Sequence, residues 1–167
     1  MRSQLTTSDV EKIKAEIEHR RIVVRKEALE AVKEARAHGD LSENFEYHAA
    51  KKDKNQNESR IRYLERMLKT ARIISDDSKE DEVGINNTVT LFFEEDNEEE
   101  SYRIVTSVRG NSMKGLISIE SPIGKAVMGH RTGDRVQVKV NDNYGYHAVI
   151  RKIEKTKSDA EDQIRRF

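Results

Sequence analysis

The feature of this sequence that most constrains its fold is the stretch from Thr7 to Ala37, which contains neither glycine nor proline. Thr7-Ser8-Asp9 offers a helix N-cap at its start. Apolar or small side chains then recur at steps of three, four and seven, at Ile13, Ile17, Val24, Ala28, Ala31 and Ala35. This spacing predicts a helix with one narrow apolar stripe. Because the stripe is too narrow to bury a helix in a globular core, the helix needs a partner of the same kind.

A second helical stretch supplies that partner after the break HGDLSEN, residues 38–44. Its stripe consists of Ala50, Ile61, Leu64, Leu68 and Ala71. At 1.5 Å per residue, each arm of about 30 residues is roughly 45 Å long. Two facing stripes predict an antiparallel coiled-coil hairpin over residues 1–75, with Gly39 at or near its turn and an acidic tip near 38–46.

Beyond residue 75 the pattern changes. The acidic stretch that follows lacks periodicity and predicts a linker over 76–84. Alternating apolar residues, turn signals and a Ser121-Pro122 helix start then predict a small antiparallel sheet domain with one short helix over 85–154, followed by a charged tail over 155–167. The predicted fold class is therefore α+β.

Composition narrows the possible functions. The absence of cysteine excludes disulfides and thiolate metal sites. The sequence shows neither a signal peptide nor a stretch of the roughly 20 apolar residues that span a bilayer, so we expect a soluble, cytoplasmic protein. The net charge is zero, but residues 1–74 carry 17 basic and 13 acidic residues, whereas residues 75–167 carry 14 and 18. This asymmetry indicates two units with different electrostatic roles.

Enzymatic signatures are missing. The sequence contains no Gly-x-Ser-x-Gly motif and no glycine-rich phosphate loop, and His38 and His48 have no second ligand pair that would indicate zinc.

Two carboxylates in the break, Asp40 and Glu43, have two possible roles. As Asp-x-x-Glu they could form a capping box, in which Asp40 accepts from the amide of Glu43. Alternatively they could bind a metal, since Mg²⁺ commonly uses one or two protein carboxylates and takes its other ligands from water or phosphate. A tip at the end of a rod has no walls to exclude water, so such a site would be completed by another molecule. Glu46 is a weaker candidate for the same role.

Four basic residues of the second arm fall within a sector of roughly 60° on a helical wheel. They are Lys51, Arg62, Arg66 and Lys69, and we call them the basic stripe. Such a stripe is either a solvated face or a contact for a polyanion.

Two longer motifs carry a family resemblance. Residues 35–51, ARAHGDLSENFEYHAAK, resemble the tip motif of the bacterial Gre transcript-cleavage factors. Residues 114–129, KGLISIESPIGKAVMG, followed by Gly133-Asp134, are similar to the C-terminal signature of the same family. The resemblance covers roughly residues 5–154.

The resemblance implies a coiled coil followed by an FKBP-like domain. In that family the globular domain docks at the rim of the secondary channel of bacterial RNA polymerase, and the coiled coil enters the channel. Asp40 and Glu43 match the residues that help to hold Mg²⁺ in the polymerase site, which then cleaves the 3′ end of backtracked RNA. Asn44 and Tyr47 match residues expected to contact RNA or polymerase, and the basic stripe corresponds to the RNA-facing patch. The resemblance thus implies a monomer with no cofactor or turnover of its own and no membrane contact.

The chain departs from the family pattern in two places. Residues 23–26 lack the usual proline, so a straighter first helix is expected, and Phe45 replaces a small residue. Prolyl isomerase activity is not expected, because the second domain has few aromatic residues for a pocket. Two other readings stay open: a Gre-like inhibitor that blocks the same channel, and a coiled-coil scaffold in which Asp40 and Glu43 only cap a helix.

Overall fold

The computed structural model describes residues 3–39, 43–156, 159 and 162–166. The chain forms two compact units. The first comprises Val10–Ala71, and the second comprises Gln4–Asp9 together with the chain from Arg72 onward. No helix in these described ranges is long and apolar enough to cross a membrane.

The first unit is the predicted helical hairpin. Its first arm contains α1 (Thr7–His19), a π-helical segment (Arg20–Val24) and α2 (Arg25–Ala37), and its second arm is α3 (Phe45–Thr70). The reversal between the arms includes Gly39, whose φ of 140° lies in a region that residues with a Cβ rarely adopt. The helical periodicity therefore predicted both arms and the place of the turn.

The seam between the arms is partly polar. Ile17, Ile61 and Leu64 are buried as their spacing predicts, but so are Asn57 and Arg60. The Asn57 amide donates to the Arg20 carbonyl over 3.2 Å and accepts from the Arg20 guanidinium over 3.1 Å. A buried amide at a seam position favours one register of the two helices, because any slip leaves it without partners.

The same carbonyl marks the start of the π-helical segment. Arg20 O accepts from the amide of Arg25, five residues on, in addition to the Asn57 amide. The stretch that the missing proline predicted to be straighter thus contains a π turn. The side-chain amide of Asn57, on the opposite arm, donates to this turn. A sequence pattern confined to one arm cannot reveal such a contact between the arms.

A second polar group joins the arms at Glu16. Its carboxylate accepts from Arg60 over 2.9 Å and from Arg20 over 2.7 Å. Burial raises the pKa of Glu16, but the hydrogen bonds from the two guanidinium groups outweigh this effect and lower it below the ordinary value of 4.5. Arg60 is only 5% exposed, so its charge depends on this partner.

We predict that Glu16→Gln lowers the free energy of unfolding by about 2 kcal/mol at pH 7, since it removes charged hydrogen-bond partners from a buried arginine. The folded-state pKa of Glu16 is lowered, so its contribution is complete above pH 4.5 and is lost as the pH falls through the folded-state value. Urea unfolding at pH 7, 5, 4 and 3 should therefore show wild type and variant converging at low pH.

The control for this experiment is Glu30→Gln, which changes an exposed carboxylate of α2. It should follow the wild-type curve at every pH. A stability difference between wild type and Glu16→Gln that stays constant down to pH 3 would contradict the assigned ion-pair role.

The second unit is built on a five-stranded sheet. Its order is β5-β4-β3-β7-β6, and a separate parallel pair joins β1 to β2. The strands are β1 (Gln4–Leu5), β2 (Arg72–Ile73), β3 (Thr88–Phe93), β4 (Glu98–Val105), β5 (Leu116–Ser118), β6 (Arg135–Lys139) and β7 (Gly145–Glu154). The short helix α4 (Pro122–Val127) starts with Ser121 as N-cap, whose hydroxyl accepts from the Gly124 amide over 3.0 Å. The predicted α+β class is confirmed.

One strand pairing differs from the fully antiparallel prediction, because β4 and β5 run parallel. The chain between them forms two short 3₁₀ turns, Ser107–Arg109 and Ser112–Lys114, and returns in the original direction. Two-residue hairpin turns cannot produce this arrangement, since parallel neighbours need a crossover.

The start of α1 is anchored in the second unit by a buried carboxylate. Thr6 is the N-cap, one residue before the predicted capping segment, and its hydroxyl accepts from the Asp9 amide over 3.2 Å. Asp9 accepts in turn from the Thr6 amide over 2.9 Å, from Thr106 over 2.7 Å and from Arg109 over 2.6 Å. Asp9 and Arg109 are buried, so this pair satisfies two charges that would otherwise be costly to bury.

Both segments predicted as linker and tail make ordered contacts within the second unit. Asp76 accepts from Asn87 over 3.0 Å, and the Lys155 ammonium donates to Asn87 over 2.9 Å. Farther along the tail, Asp162 accepts from Arg109 over 2.7 Å. The described parts of these polar segments are therefore held by side chains of the sheet domain.

Candidate functional site at the hairpin tip

The tip of the hairpin lies between the end of α2 at Ala37 and the start of α3 at Phe45. Of the predicted metal-binding pair, Asp40 lies outside the described residues. Glu43 is described, is exposed, and precedes the N-cap of α3. The tip therefore presents Glu43 outside the helix.

Asn44 is the residue that starts α3. Its side-chain oxygen accepts from the Tyr47 amide over 3.1 Å, and its NH₂ group donates to the carbonyls of Ala35, over 2.9 Å, and of Gly39. The predicted capping box includes Asp40 and so cannot be traced within the described residues, but the N-cap of α3 is Asn44 and Glu43 precedes it. An asparagine amide can accept from the new helix and donate to the old one, which a carboxylate cannot do.

Glu46 has a local partner. Its carboxylate lies 3.2 Å from Nδ1 of His38, across the turn, and both side chains are exposed. An acidic group in the first turn is also favoured by the helix dipole. Glu46 thus connects the start of α3 to the end of α2 through His38.

The described residues contain no group of three or more side chains arranged to bind a metal ion by themselves. An exposed carboxylate such as that of Glu43 has the oxygen chemistry that Mg²⁺ prefers, but a complete site needs ligands from elsewhere.

Tyr47 lies at the centre of a cationic cluster. Its hydroxyl accepts from Arg36 over 2.9 Å, and the guanidinium carbon of Arg36 lies 5.2 Å from the ring centroid. The Lys51 ammonium lies 6.0 Å from the same centroid, and the His48 ring lies 5.5 Å away. Phe45, 82% exposed, adds a second aromatic group. The tip thus combines carboxylates, aromatic rings and cations.

The structure places the basic stripe on one arm. All four residues, Lys51, Arg62, Arg66 and Lys69, are exposed on α3. Arg62 donates to the neighbouring Ser59 hydroxyl over 3.1 Å. The solvent-facing position that the helical wheel predicts for these four residues therefore agrees with their exposure on α3.

Two features of the tip escaped the sequence reasoning. The capping role of Asn44 had a usable signal, since asparagine immediately before a helical stretch is a common N-cap. The bond between Arg36 and Tyr47 had none, because it depends on the register of two arms that are separated in sequence.

We predict that Asn44→Ala loosens the tip without unfolding the hairpin. Loss of an N-cap costs about 1 kcal/mol, which corresponds to about a fivefold loss of protection from amide hydrogen exchange. The amide of Tyr47 should show this change, since it donates to Asn44. Amides near Leu64, far along α3, serve as the internal control; equal loss of protection there would point to global destabilisation instead.

Known proteins provide an independent comparison. A family profile described as "Transcription elongation factor, N-terminal" matches residues 3–73, and one described as "Transcription elongation factor, GreA/GreB, C-term" matches residues 77–155. "Transcription elongation factor GreA" of Macrococcus caseolyticus is 46% identical over 134 residues, which are 80% of this chain and 85% of that protein. The protein of the same name from Caldanaerobacter subterraneus is 47% identical over 137 residues, 81% and 87% of the two chains.

Among solved structures, GreA factor homolog 1 (Gfh1) of Thermus thermophilus is 27% identical to this chain. It covers 93% of this chain and 100% of its own, with a TM-score of 0.42. The matches in sequence confirm the resemblance that the tip motif and the C-terminal signature predicted.

Proposed function

Because the chain belongs to the GreA/GreB family of transcription elongation factors, we propose that its hairpin delivers the tip carboxylates Asp40 and Glu43 to the active site of a bacterial RNA polymerase. There they stimulate the polymerase's own cleavage of the 3′ end of backtracked RNA. The protein has no turnover of its own in this scheme and acts by lending ligands.

The observation that carries this proposal is the capping of α3 by Asn44. One carboxylate cannot fully serve as a helix cap and a metal ligand at once. The cap bond of α3 comes from the Asn44 side chain, so this bond does not use the carboxylate of Glu43, which is exposed and precedes the N-cap.

The rod that carries the tip suits insertion into a channel. α3 has 26 residues and is therefore about 39 Å long. Cross-arm pairs such as Arg25–Glu58, with two bonds of 2.8 Å, stiffen it without widening it. A long, narrow hairpin of two helices can enter a channel of another macromolecule.

In the polymerase site, Asp40 and Glu43 would contribute oxygen ligands to Mg²⁺, with the remaining ligands supplied by polymerase, water and phosphate. In two-metal phosphoryl chemistry, such an ion helps to activate the attacking water and to stabilise the leaving oxygen. Hydrolysis would then occur at the polymerase's catalytic centre, and the role of this chain is to position the carboxylates.

The basic stripe is the proposed contact for the extruded RNA. From Lys51 to Lys69 it extends about 27 Å along α3, which allows several successive phosphates to meet aligned cations. Tyr47 and Asn44, at the tip end of this row, are the proposed contacts nearest the RNA 3′ end. The sheet domain is the proposed anchor at the rim of the channel, and the protein acts as a monomer.

The test of the tip carboxylates uses bacterial RNA polymerase that is stalled and backtracked on 3′-labelled RNA in the presence of Mg²⁺. We expect wild type to accelerate release of short 3′ fragments, and Asp40→Asn and Glu43→Gln each to reduce this rate at least about tenfold, as loss of groups that support a metal site commonly does. Binding to polymerase should not change.

The matched control is Glu30→Gln, the same change at an exposed position of α2. It should retain full stimulation. Tight binding of wild type with slowed elongation and no cleavage would instead identify a channel-blocking inhibitor, and absence of binding would leave only a scaffold.

For the basic stripe, we predict that the double variant Arg62→Ser/Lys69→Ser weakens binding to backtracked complexes more than to complexes without extruded RNA. Removing two single-strand phosphate contacts should reduce the slope of log affinity against log salt concentration by about 1.4. Lys26→Ser/Lys33→Ser removes two exposed lysines of α2 and is the control. If the slope of log affinity against log salt concentration were the same for the two double variants, an RNA contact by the basic stripe would be excluded.

A further inference from the structure

The core-facing side of the five-stranded sheet is only partly covered. Along β3, Val89 and Leu91 are fully buried in the cluster that includes Val127 of α4. Phe93, next on the same face, is only half-buried. An aromatic surface therefore remains open at this end of the sheet.

Aromatic residues of three neighbouring strands and one turn form this surface. The ring centroid of Phe93 lies 6.3 Å from that of Tyr102 on β4 and 5.8 Å from that of Tyr146 on β7. Tyr144, 52% exposed, continues the row 6.2 Å from Tyr146. Together with Ile123 these rings line a cleft of about 270 Å³, which we call the aromatic cleft.

Carboxylates of residues 95–100 line the aromatic cleft. They are Glu95, Asp96, Glu98 and Glu100, whereas His147 is the one basic side chain among the described residues that line it. Glu95, Asp96 and Glu98 form no ion pair with any residue that the structure describes. Neighbouring Glu94, which does not line the cleft, is paired with Arg135 at 2.7 Å. The cleft thus has a negative rim whose charges are not neutralised by the described chain.

The ring of Tyr102 in the cleft also favours a cation. Burial, together with the Glu100 carboxylate that accepts its hydrogen bond, raises the pKa of Tyr102. Tyr102 is therefore a neutral phenol with an electron-rich ring face. Such faces attract cations, and desolvation strengthens that attraction.

The size of the cleft and the shape of the candidate cations indicate which kind of cation the cleft can bind. Described residues at the cleft do not form a cluster suited to a metal ion. At about 270 Å³ the cleft is smaller than the roughly 300–1,000 Å³ of typical small-molecule sites, so it suits a single side chain. A planar guanidinium both stacks on tyrosine rings and donates in parallel to carboxylates, whereas an ammonium does only part of this.

The opposite face of the sheet contains an internal example of this pairing. There the guanidinium carbon of Arg151 lies 4.6 Å from the ring centroid of Phe92. Phe92 and Phe93 are adjacent on β3 and point to opposite faces. Among the described residues, no arginine or lysine side chain lies over the ring of Phe93 in this way.

We propose that the aromatic cleft binds an arginine side chain presented by a partner protein. The guanidinium would lie against Tyr102 and Tyr146, and Glu98 with the Glu95–Asp96 turn would accept its hydrogen bonds. This inference concerns the sheet domain alone and does not depend on the proposed role of the tip.

The test is a titration of the ¹⁵N-labelled full-length protein with the capped peptide acetyl-Gly-Arg-Gly-amide, followed by amide chemical shifts. We expect saturable shifts at Phe93, Tyr102 and Tyr146. The same peptide with citrulline, which has nearly the same shape but no charge, should give none. Glu98→Gln and Tyr144→Ala should each weaken binding about threefold, a typical effect of losing one exposed charge or cation–π contact.

The matched control is Glu99→Gln. Glu99 pairs with Phe92 in the sheet and so lies on the face opposite Glu98 and Glu100. It should bind the arginine peptide as wild type does. The proposal would be overturned if the chemical shifts did not saturate, or if the citrulline peptide bound as tightly as the arginine peptide. It would also be overturned if Glu99→Gln lost as much affinity as Glu98→Gln. Tighter binding of spermidine than of the arginine peptide would also overturn it, in favour of a polyamine site.

Discussion

The hydrogen bonds between Asn57 and Arg20 set the geometry on which the helical hairpin depends. The apolar stripe of each arm is narrow, and apolar contacts alone tolerate sliding of one helix along the other. A buried amide does not, because a shifted register leaves it unsatisfied at a cost of about 1–3 kcal/mol. With the register defined at this point, Asn44 meets the Ala35 carbonyl and Tyr47 meets Arg36 at the far end of the hairpin.

At the tip, structural and chemical tasks fall to different residues. Asn44 joins the two helices through both ends of its amide, and Glu46 lies close to His38. The cap of α3 is thus an amide and not a carboxylate. In the proposed function, the tip carboxylates are the ligands that the protein presents, and the partner supplies the walls of the site and the remaining chemistry.

The second unit uses charge in two opposite ways. In its interior, Asp9 and Arg109 are paired and buried, and breaking such a pair typically costs about 3–5 kcal/mol. This pair holds the first turn of α1 against the 3₁₀ turn that follows β4, and Asp162 extends the pairing into the tail. At the aromatic cleft, Glu95, Asp96 and Glu98 are exposed and form no ion pair with the part of the chain that the structure describes. The unpaired set is the one suited to recognition, because its partner charge must come from another molecule.

The sequence by itself determined the elements that rest on local patterns: the two helical arms, the strand from Thr88 to Phe93, the Ser121-Pro122 helix start and the family. Only the tertiary structure decided which distant residues meet. It showed β4 and β5 to be parallel, gave the helix cap to Asn44, and gathered Phe93, Tyr102 and Tyr146 into one cleft where the low aromatic content had predicted no pocket. Periodicity and capping act over a few residues, whereas strand order and helix register depend on the path of the whole chain.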